Sequence, residues 1–178
     1  MSADDLGWTT LGEDKVVHEG FVRVLERRLR LPDGRETTWD ILGVPPTVAV
    51  LALTPSGELV MVRQFRPAPG RFVLSLPGGL IDEGETPADA ARRELREETG
   101  YSASSVEIVA SVHPNNALNP RHTAIARGCV LAGQQDLDEL EDCEVVLMTV
   151  ADVRRLLPGG TLGSTEQTYL ALDHAGLL

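Results

Sequence analysis

Cysteine is scarce in this chain: Cys129 and Cys143 are the only two. They form no close-spaced metal pair, they rule out a disulfide scaffold, and in a reducing compartment they pack as free thiols. Long apolar runs are missing as well. None approaches the roughly 18 residues of a membrane span, so no membrane partner is expected. The opening stretch MSADDLGW is acidic and lacks the basic and apolar regions of a signal peptide, which points to a cytoplasmic address. Positive charge is in short supply, with 16 Lys and Arg against 27 Asp and Glu and a formal net charge of −11. Duplex nucleic acid requires a basic surface to displace its counterions, so nucleic acid is not an expected partner. A small anionic substrate remains compatible with this charge, provided that a cation is recruited.

What is present is an ordinary globular composition, 42% hydrophobic and 24% charged, without internal repeats or low-complexity tracts. One core is the default for 178 residues. Residues 1–14 are polar and show no periodicity, and read as a loosely ordered lead-in. FVRVLERRLRLPDGRETTWDIL offers two extended runs around Pro32-Asp33-Gly34, a hairpin signal. TVAVLAL reads as a buried strand that turns at 55–57 into ELVMVRQF. Further strands are expected at FVLSL, VEIVASV, TAIARGCVL and EVVLMTV, and helices at ADVRRLL and from Ser164 to Ala175. Strands and helices mix without regular alternation, which favours an α+β fold with a mixed sheet over a doubly wound parallel one.

The most informative stretch is GGLIDEGETPADAARRELREETGY, Gly78 to Tyr101. Thr86 suits an N-cap, Pro87 the first helical position, Asp89 a capping-box acid and Gly100 the C′ position, so a helix is expected from Pro87 to Thr99. At about 100° per residue, Ala88, Ala91 and Leu95 share a buried stripe, with Glu94, Glu97 and Glu98 on a neighbouring one. Two unit charges about 5 Å apart at an effective dielectric of 20 repel by roughly 3 kcal/mol. A Glu- and Arg-rich helix is usually a solvated face laced by pairs such as Arg93 to Glu97. Here the tight Gly-Gly turn, the acidic loop with Glu85 and the three glutamates form a larger constellation whose donors are all oxygen. Oxygen donors suit Mg²⁺ or Mn²⁺ better than zinc.

This stretch resembles the Nudix box, G-x5-E-x7-R-E-U-x-E-E-x-G-U, at Gly79, Glu85, Arg93, Glu94, Leu95, Glu97, Glu98 and Gly100. Tyr101 departs from the pattern by replacing an aliphatic residue. The resemblance implies an αβα sandwich and hydrolysis of nucleoside diphosphates linked to another moiety, with Mg²⁺ or Mn²⁺. It implies Glu94 and Glu98 as metal ligands, Glu97 as ligand or base, the Gly78 carbonyl as a further ligand, and Glu85 on the metal side, orienting the loop or binding a water. Arg93 falls among the catalytic groups and holds the glutamates by pairing.

Three features are similar to the ADP-ribose pyrophosphatase and nucleoside-diphosphate-sugar subgroup. The N-terminal extended region would form a small antiparallel sheet over residues 1–44 that builds a homodimer, leaving 45–178 as the hydrolase domain. Arg66, in VRQFRPAPGRFVLSLPGG, matches a phosphate-binding position. DLDELEDCEVVLMTV resembles the subgroup's late acidic loop, giving Glu139 as catalytic base and Glu141 as a metal-side carboxylate, with Asp142 or Glu144 in either place if the register slips. Trp39 and Phe65 are candidates for stacking on the base, although core or dimer packing is the commoner role for such residues. His113 and His122 read as structural. The subgroup's proline about sixteen residues after the box is replaced by Pro114 and Pro120 in HPNNALNPRHTAIA, which leaves room for a nucleotide sugar other than ADP-ribose. The expected substrate is thus a small nucleotide sugar. The alternatives are a Nudix hydrolase of oxidised nucleoside triphosphates or dinucleotides, and a non-catalytic sensing module.

Overall fold

In the computed structural model, which describes residues 7–139 and 141–178, the chain divides into two compact units. One comprises Met1–Pro45 with His113–Pro120, the other Pro46–Val112 with Arg121–Leu178. The first unit contains β1 (Thr9–Thr10), β2 (Lys15–His18), β3 (Arg23–Arg30) and β4 (Glu36–Gly43). β3 and β4 form the antiparallel hairpin signalled by Pro32-Asp33-Gly34, with Arg30 opposite Glu36 and Gly34 at a φ of 87°. β2 and β1 pair with the other edge of β3.

Part of the lead-in read as loose, residues 1–6, lies outside the described residues. The rest of it is tied down: Thr9–Thr10 pairs with Leu29 and Arg30, and Asp14 accepts two hydrogen bonds from Arg27 at 2.8 and 2.6 Å. A bidentate charged contact orders a segment that has no hydrophobic period to betray it. The His113–Pro120 segment joins the same unit through its backbone. Leu42 N–H donates to the Asn116 carbonyl, Leu118 N–H to the Leu42 carbonyl, and the Asn119 amide to the Val44 carbonyl.

The second unit contains β5 (Thr47–Leu53), β6 (Glu58–Arg66), β7 (Arg71–Ser75), α1 (Pro87–Thr99), β8 (Tyr101–Ser102), β9 (Ser105–Val112), β10 (Arg121–Arg127), β11 (Val130–Leu131), β12 (Cys143–Thr149), α2 (Val150–Leu156) and α3 (Thr165–His174). A six-stranded sheet runs β12-β6-β5-β10-β9, with β7 beside β6. β5 and β10 are parallel and the other pairs antiparallel, so the sheet is mixed. The period of two in β5 divides its apolar run between two cores. Val48, Val50 and Ala52 pack with Ala90, Ala91 and Leu95 of α1. Ala49, Leu51 and Leu53 pack with Val153, Leu157, Ala171 and Leu172 on the opposite face. Complete burial of one leucine, such as Leu95, contributes about 2 kcal/mol. The run TAIARGCVL, expected as one strand, is broken into β10 and β11. Gly128 turns the chain in the left-handed conformation at φ 63°, and the Cys129 N–H donates to the Leu53 carbonyl.

Candidate active site

Local sequence sets the helix that carries the site. α1 spans Pro87–Thr99 as expected, with the Thr86 hydroxyl accepting from the Asp89 N–H and donating to the Asp89 carboxylate. Gly100, at φ 74°, closes the helix by donating to the Arg96 carbonyl. The buried stripe differs from the expected one. Ala90, Ala91 and Leu95 are fully buried while Ala88 is half-buried, and Glu94 and Glu98 lie inside the stripe at 8% and 3% exposure. Packing against β5 and β9 rotates the helix so that two glutamates enter the protein.

The turn before the helix is shaped around those carboxylates. Gly78 has a φ of 148°, and a Cβ there would stand 2.1 Å from the Val48 carbonyl oxygen. Its N–H donates to Glu98 Oε2 at 2.7 Å. A Cβ on Gly79 would lie 2.6 Å from Glu94 Oε1. Gly78 therefore requires glycine for backbone conformation and space, whereas a side chain at Gly79 would displace the Glu94 carboxylate.

Arg93 organises most of the remaining charge. Its guanidinium donates to both oxygens of Glu85 at 3.0 and 2.9 Å, to Glu94 Oε1 at 2.8 Å, to Glu97 Oε2 at 3.1 Å and to the Leu80 carbonyl at 2.9 Å. Glu85 above all, then Glu94 and Glu97, holds Arg93 protonated more firmly than usual. The same contact lowers the Glu85 carboxyl below its ordinary range. Burial raises the Glu94 carboxyl, and Arg93 only partly offsets it. Glu98 has no cationic partner among the described residues. Burial pushes its carboxyl up to about 7, against the pull of the Gly78 N–H and with a further push from Glu94 and Glu141. The buried Cys143 thiol donates to Glu98 Oε1 at 3.7 Å and is itself pushed up to about 12 by burial, then by Glu98 and Glu141.

Opposite the helix lies the acidic loop. The Gln135 amide donates to the Glu98 carbonyl at 2.6 Å and to the Cys143 carbonyl at 2.8 Å, and the Asp136 N–H donates to the Glu97 carbonyl at 2.9 Å. These bonds fasten the loop to the backbone of the residues that carry the carboxylates. Between them is a cleft of about 190 Å³, with Arg93, Glu94 and Glu97 on the helix side and Asp136, Asp138 and Glu141 on the loop side. Asp136, Asp138 and Gln135 were not singled out from the sequence. The signal for the two aspartates is the alternation of acids in DLDELED, which spacing alone does not orient, and Gln135 lies just before it.

The other candidates are placed as follows. Glu139 lies on an exposed turn and is absent from the cleft lining, whereas Glu141 is part of it. Glu144 is engaged by Arg63 instead. Arg66 ends β6, is exposed, and lies close enough for its charge to act on the Cys143 thiol. Trp39 belongs to the first unit, where it is 57% exposed on β4 and so is no core residue. Phe65 packs edge-on to Phe72 with ring centroids 5.7 Å apart. His122 accepts from the Gln167 amide through its carbonyl and meets the Ser111 hydroxyl through Nδ1.

The donor set suits a hard divalent cation in kind: every candidate atom is oxygen, and buried Glu98 lacks a countercharge. The arrangement is not yet coordinating. Among the described residues no three acidic, Cys or His side chains converge closely enough to hold an ion as they stand, because Glu94 and Glu97 are turned onto Arg93. To hold an ion, these carboxylates would have to exchange part of their bonding to Arg93 for it.

A mixed sheet between helices, carrying a Gly-Gly turn and a buried glutamate helix, meets the family model of the NUDIX domain over residues 43–169. The chain therefore belongs to the Nudix family of hydrolases, which generally use a divalent metal. Among its relatives, the ADP-ribose pyrophosphatase of Bacillus subtilis (strain 168) is 31% identical over 163 residues, covering 90% of this chain and 88% of that protein. A protein named methanol dehydrogenase activator from Bacillus methanolicus is 30% identical over 177 residues, covering 93% and 94%. A solved ADP compounds hydrolase shares the fold, with a TM-score of 0.77 over 96% of this chain and 97% of that one at 20% identity. No described helix is long and apolar enough to cross a membrane.

Proposed function

We propose that the chain hydrolyses the pyrophosphate bond of ADP-ribose or a related nucleoside diphosphate sugar with Mg²⁺, releasing a nucleoside monophosphate and a sugar phosphate. The observation that carries this reading is the pair of buried carboxylates, Glu94, which lines the cleft facing the acidic loop, and Glu98, which feels the charge of Glu141 on that loop. The similarity to the Bacillus subtilis enzyme over nearly the whole chain supports the substrate class.

Glu94, Glu98 and the Gly78 carbonyl would hold the cation, with Glu97 and Glu141 beside it. When bound, it supplies charge neutralisation for the diphosphate and a water of lowered pKa. The protein's own groups do the rest. The Gly78 N–H fixes one oxygen of Glu98, and Arg93 orients Glu94, Glu97 and Glu85 while bracing the turn through Leu80. Arg66 contacts a substrate phosphate. A base must stand within hydrogen-bond reach of the attacking water, and Glu141, which lines the cleft, meets that condition better than Glu139. We also propose that residues 1–44 build a homodimer. This unit exposes Val17, Phe21 and Trp39, and a monomeric mass by light scattering would overturn that part.

The test is incubation of the purified protein with Mg²⁺ and ADP-ribose, ADP-glucose, GDP-mannose, NADH, diadenosine polyphosphates and 8-oxo-dGTP, with product identification. Release of AMP and ribose 5-phosphate from ADP-ribose is the expected result. Preference for 8-oxo-dGTP would move the assignment to that substrate, and no turnover with Mg²⁺ or Mn²⁺ would overturn the catalytic reading.

A further inference from the structure

Arg66 and Arg71, the last residue of β6 and the first of β7, stand directly opposite one another in register. Opposed residues of an antiparallel ladder project from the same face with Cβ atoms about 5 Å apart, and like charges so placed destabilise the pair. Both arginines are exposed, and among the described residues neither has an ion pair, although the chain carries a surplus of eleven negative charges. Arg63, on the same strand, is satisfied: it pairs with Glu144 and lies 4.5 Å from the Phe72 ring centroid.

The alternation of β6 sets the direction of the unsatisfied pair. Val60, Val62, Gln64 and Arg66 share one face. Val60 packs with Ala90, Ala91 and Leu95 of α1, and Gln64 lies opposite Cys143, whose thiol reaches Glu98. Arg66 and Arg71 thus stand one step beyond the row formed by Val73, Gln64 and Cys143, on the face that carries the glutamate site. In that row Gln64 Oε1 is buried with no hydrogen-bond partner among the described residues, so the row is polar and unfinished.

We propose that Arg71 joins Arg66 in a two-guanidinium clamp for a phosphate of the substrate's nucleoside diphosphate, which makes Arg71 a substrate-binding residue. This rests on the hydrolase reading above. Two guanidinium forks match the oxygens of a phosphate group, and a bound anion would remove the repulsion between the two arginines. The clamp also gives a strongly acidic protein a positive point of entry for a polyanion beside its carboxylates.

The experiment compares wild type, Arg71→Ala and Arg71→Lys by calorimetric titration with ADP in the presence of Mg²⁺, by thermal melts without nucleotide, and by ADP-ribose kinetics. Arg71→Ala should melt at or above the wild-type temperature without nucleotide, since a repulsion is gone. It should bind ADP roughly tenfold more weakly and raise KM by a similar factor, with kcat within about twofold. Arg71→Lys should recover part of the affinity. Equal ADP affinity and KM in wild type and Arg71→Ala would overturn the clamp and leave the hydrolase reading intact, and a wild type that does not bind ADP would also overturn it. A wild type that binds ADP with the expected Arg71 dependence but hydrolyses none of the nucleotide panel would support the clamp and overturn the hydrolase reading instead.

Discussion

The arginines of the N-terminal strands and the arginine of α1 sit in opposite electrostatic settings. Along β3 and the turn that follows it the arginines are met by nearby acid: Arg27 is held by Asp14, Arg28 and Arg30 share Glu36 at 3.2 and 2.9 Å, and Arg35 is bonded to Asp33 at 2.7 Å. Most of these pairs are well exposed, where such contacts are worth little. In the second unit, among the described residues, Arg93 alone serves Glu85, Glu94 and Glu97, while Glu98 goes without a cation at 3% exposure. Balanced charge in water is a property of scaffolding. Unbalanced charge held out of water has a standing cost, relieved by a proton or by a bound cation, and it sets this part of the molecule apart from the scaffold.

The sharpest way to break this contrast is Glu98→Gln, which removes the uncompensated charge and keeps the shape. Activity with Mg²⁺ should fall by at least about a hundredfold while the circular dichroism spectrum is unchanged; near-normal turnover would remove Glu98 from the metal site. On the loop side, Glu141→Gln should cost about a hundredfold in kcat and Glu139→Gln far less. The reverse order would restore Glu139 as the base.

Arg93→Ala tests the hub itself. Leaving three partly buried carboxylates without their cation should destabilise the fold by about 2 kcal/mol, read from the urea midpoint, and Arg93→Lys should not rescue it, because an ammonium cannot reproduce the fork. Added divalent cation should return part of the loss.

The smallest effect is a difference of sign in the metal-free protein. Glu98 is raised to about 7, so between the ordinary carboxylate range and 7 the folded state binds more protons than the unfolded one. Its contribution to stability is therefore lost as pH rises through that window. Asp14 is lowered by Arg27. Its contribution is complete above the unfolded value and lost as pH falls through the folded one. Melting curves in EDTA should show the first slope disappear in Glu98→Gln and the second in Asp14→Asn; unchanged profiles would refute the contrast.

Much of the fold and site was legible because its causes are local. Thr86, Pro87 and Gly100 bracket α1 through bonds within a turn of the chain, and TVAVLAL is apolar on both faces because a strand covered on both sides must be. The helix stripe was misplaced because Ala88 and Ala90 are equally apolar, and only packing on the sheet chose between them. β1 and β2 were missed because they are short and exposed, held by backbone pairing with β3 and not by a hydrophobic period.

The sequence by itself determined the spacing of Gly79, Glu85, Arg93, Glu94, Glu97 and Glu98, and with it the family, since helix geometry converts that spacing into one carboxylate face. Only the tertiary structure decided which carboxylates are buried, that Glu141 lines the cleft while Glu144 turns to Arg63, and that Arg71 stands against Arg66. Those outcomes depend on strand register and on contacts between residues far apart in the chain, where a shift of one position exchanges the buried face for the exposed one.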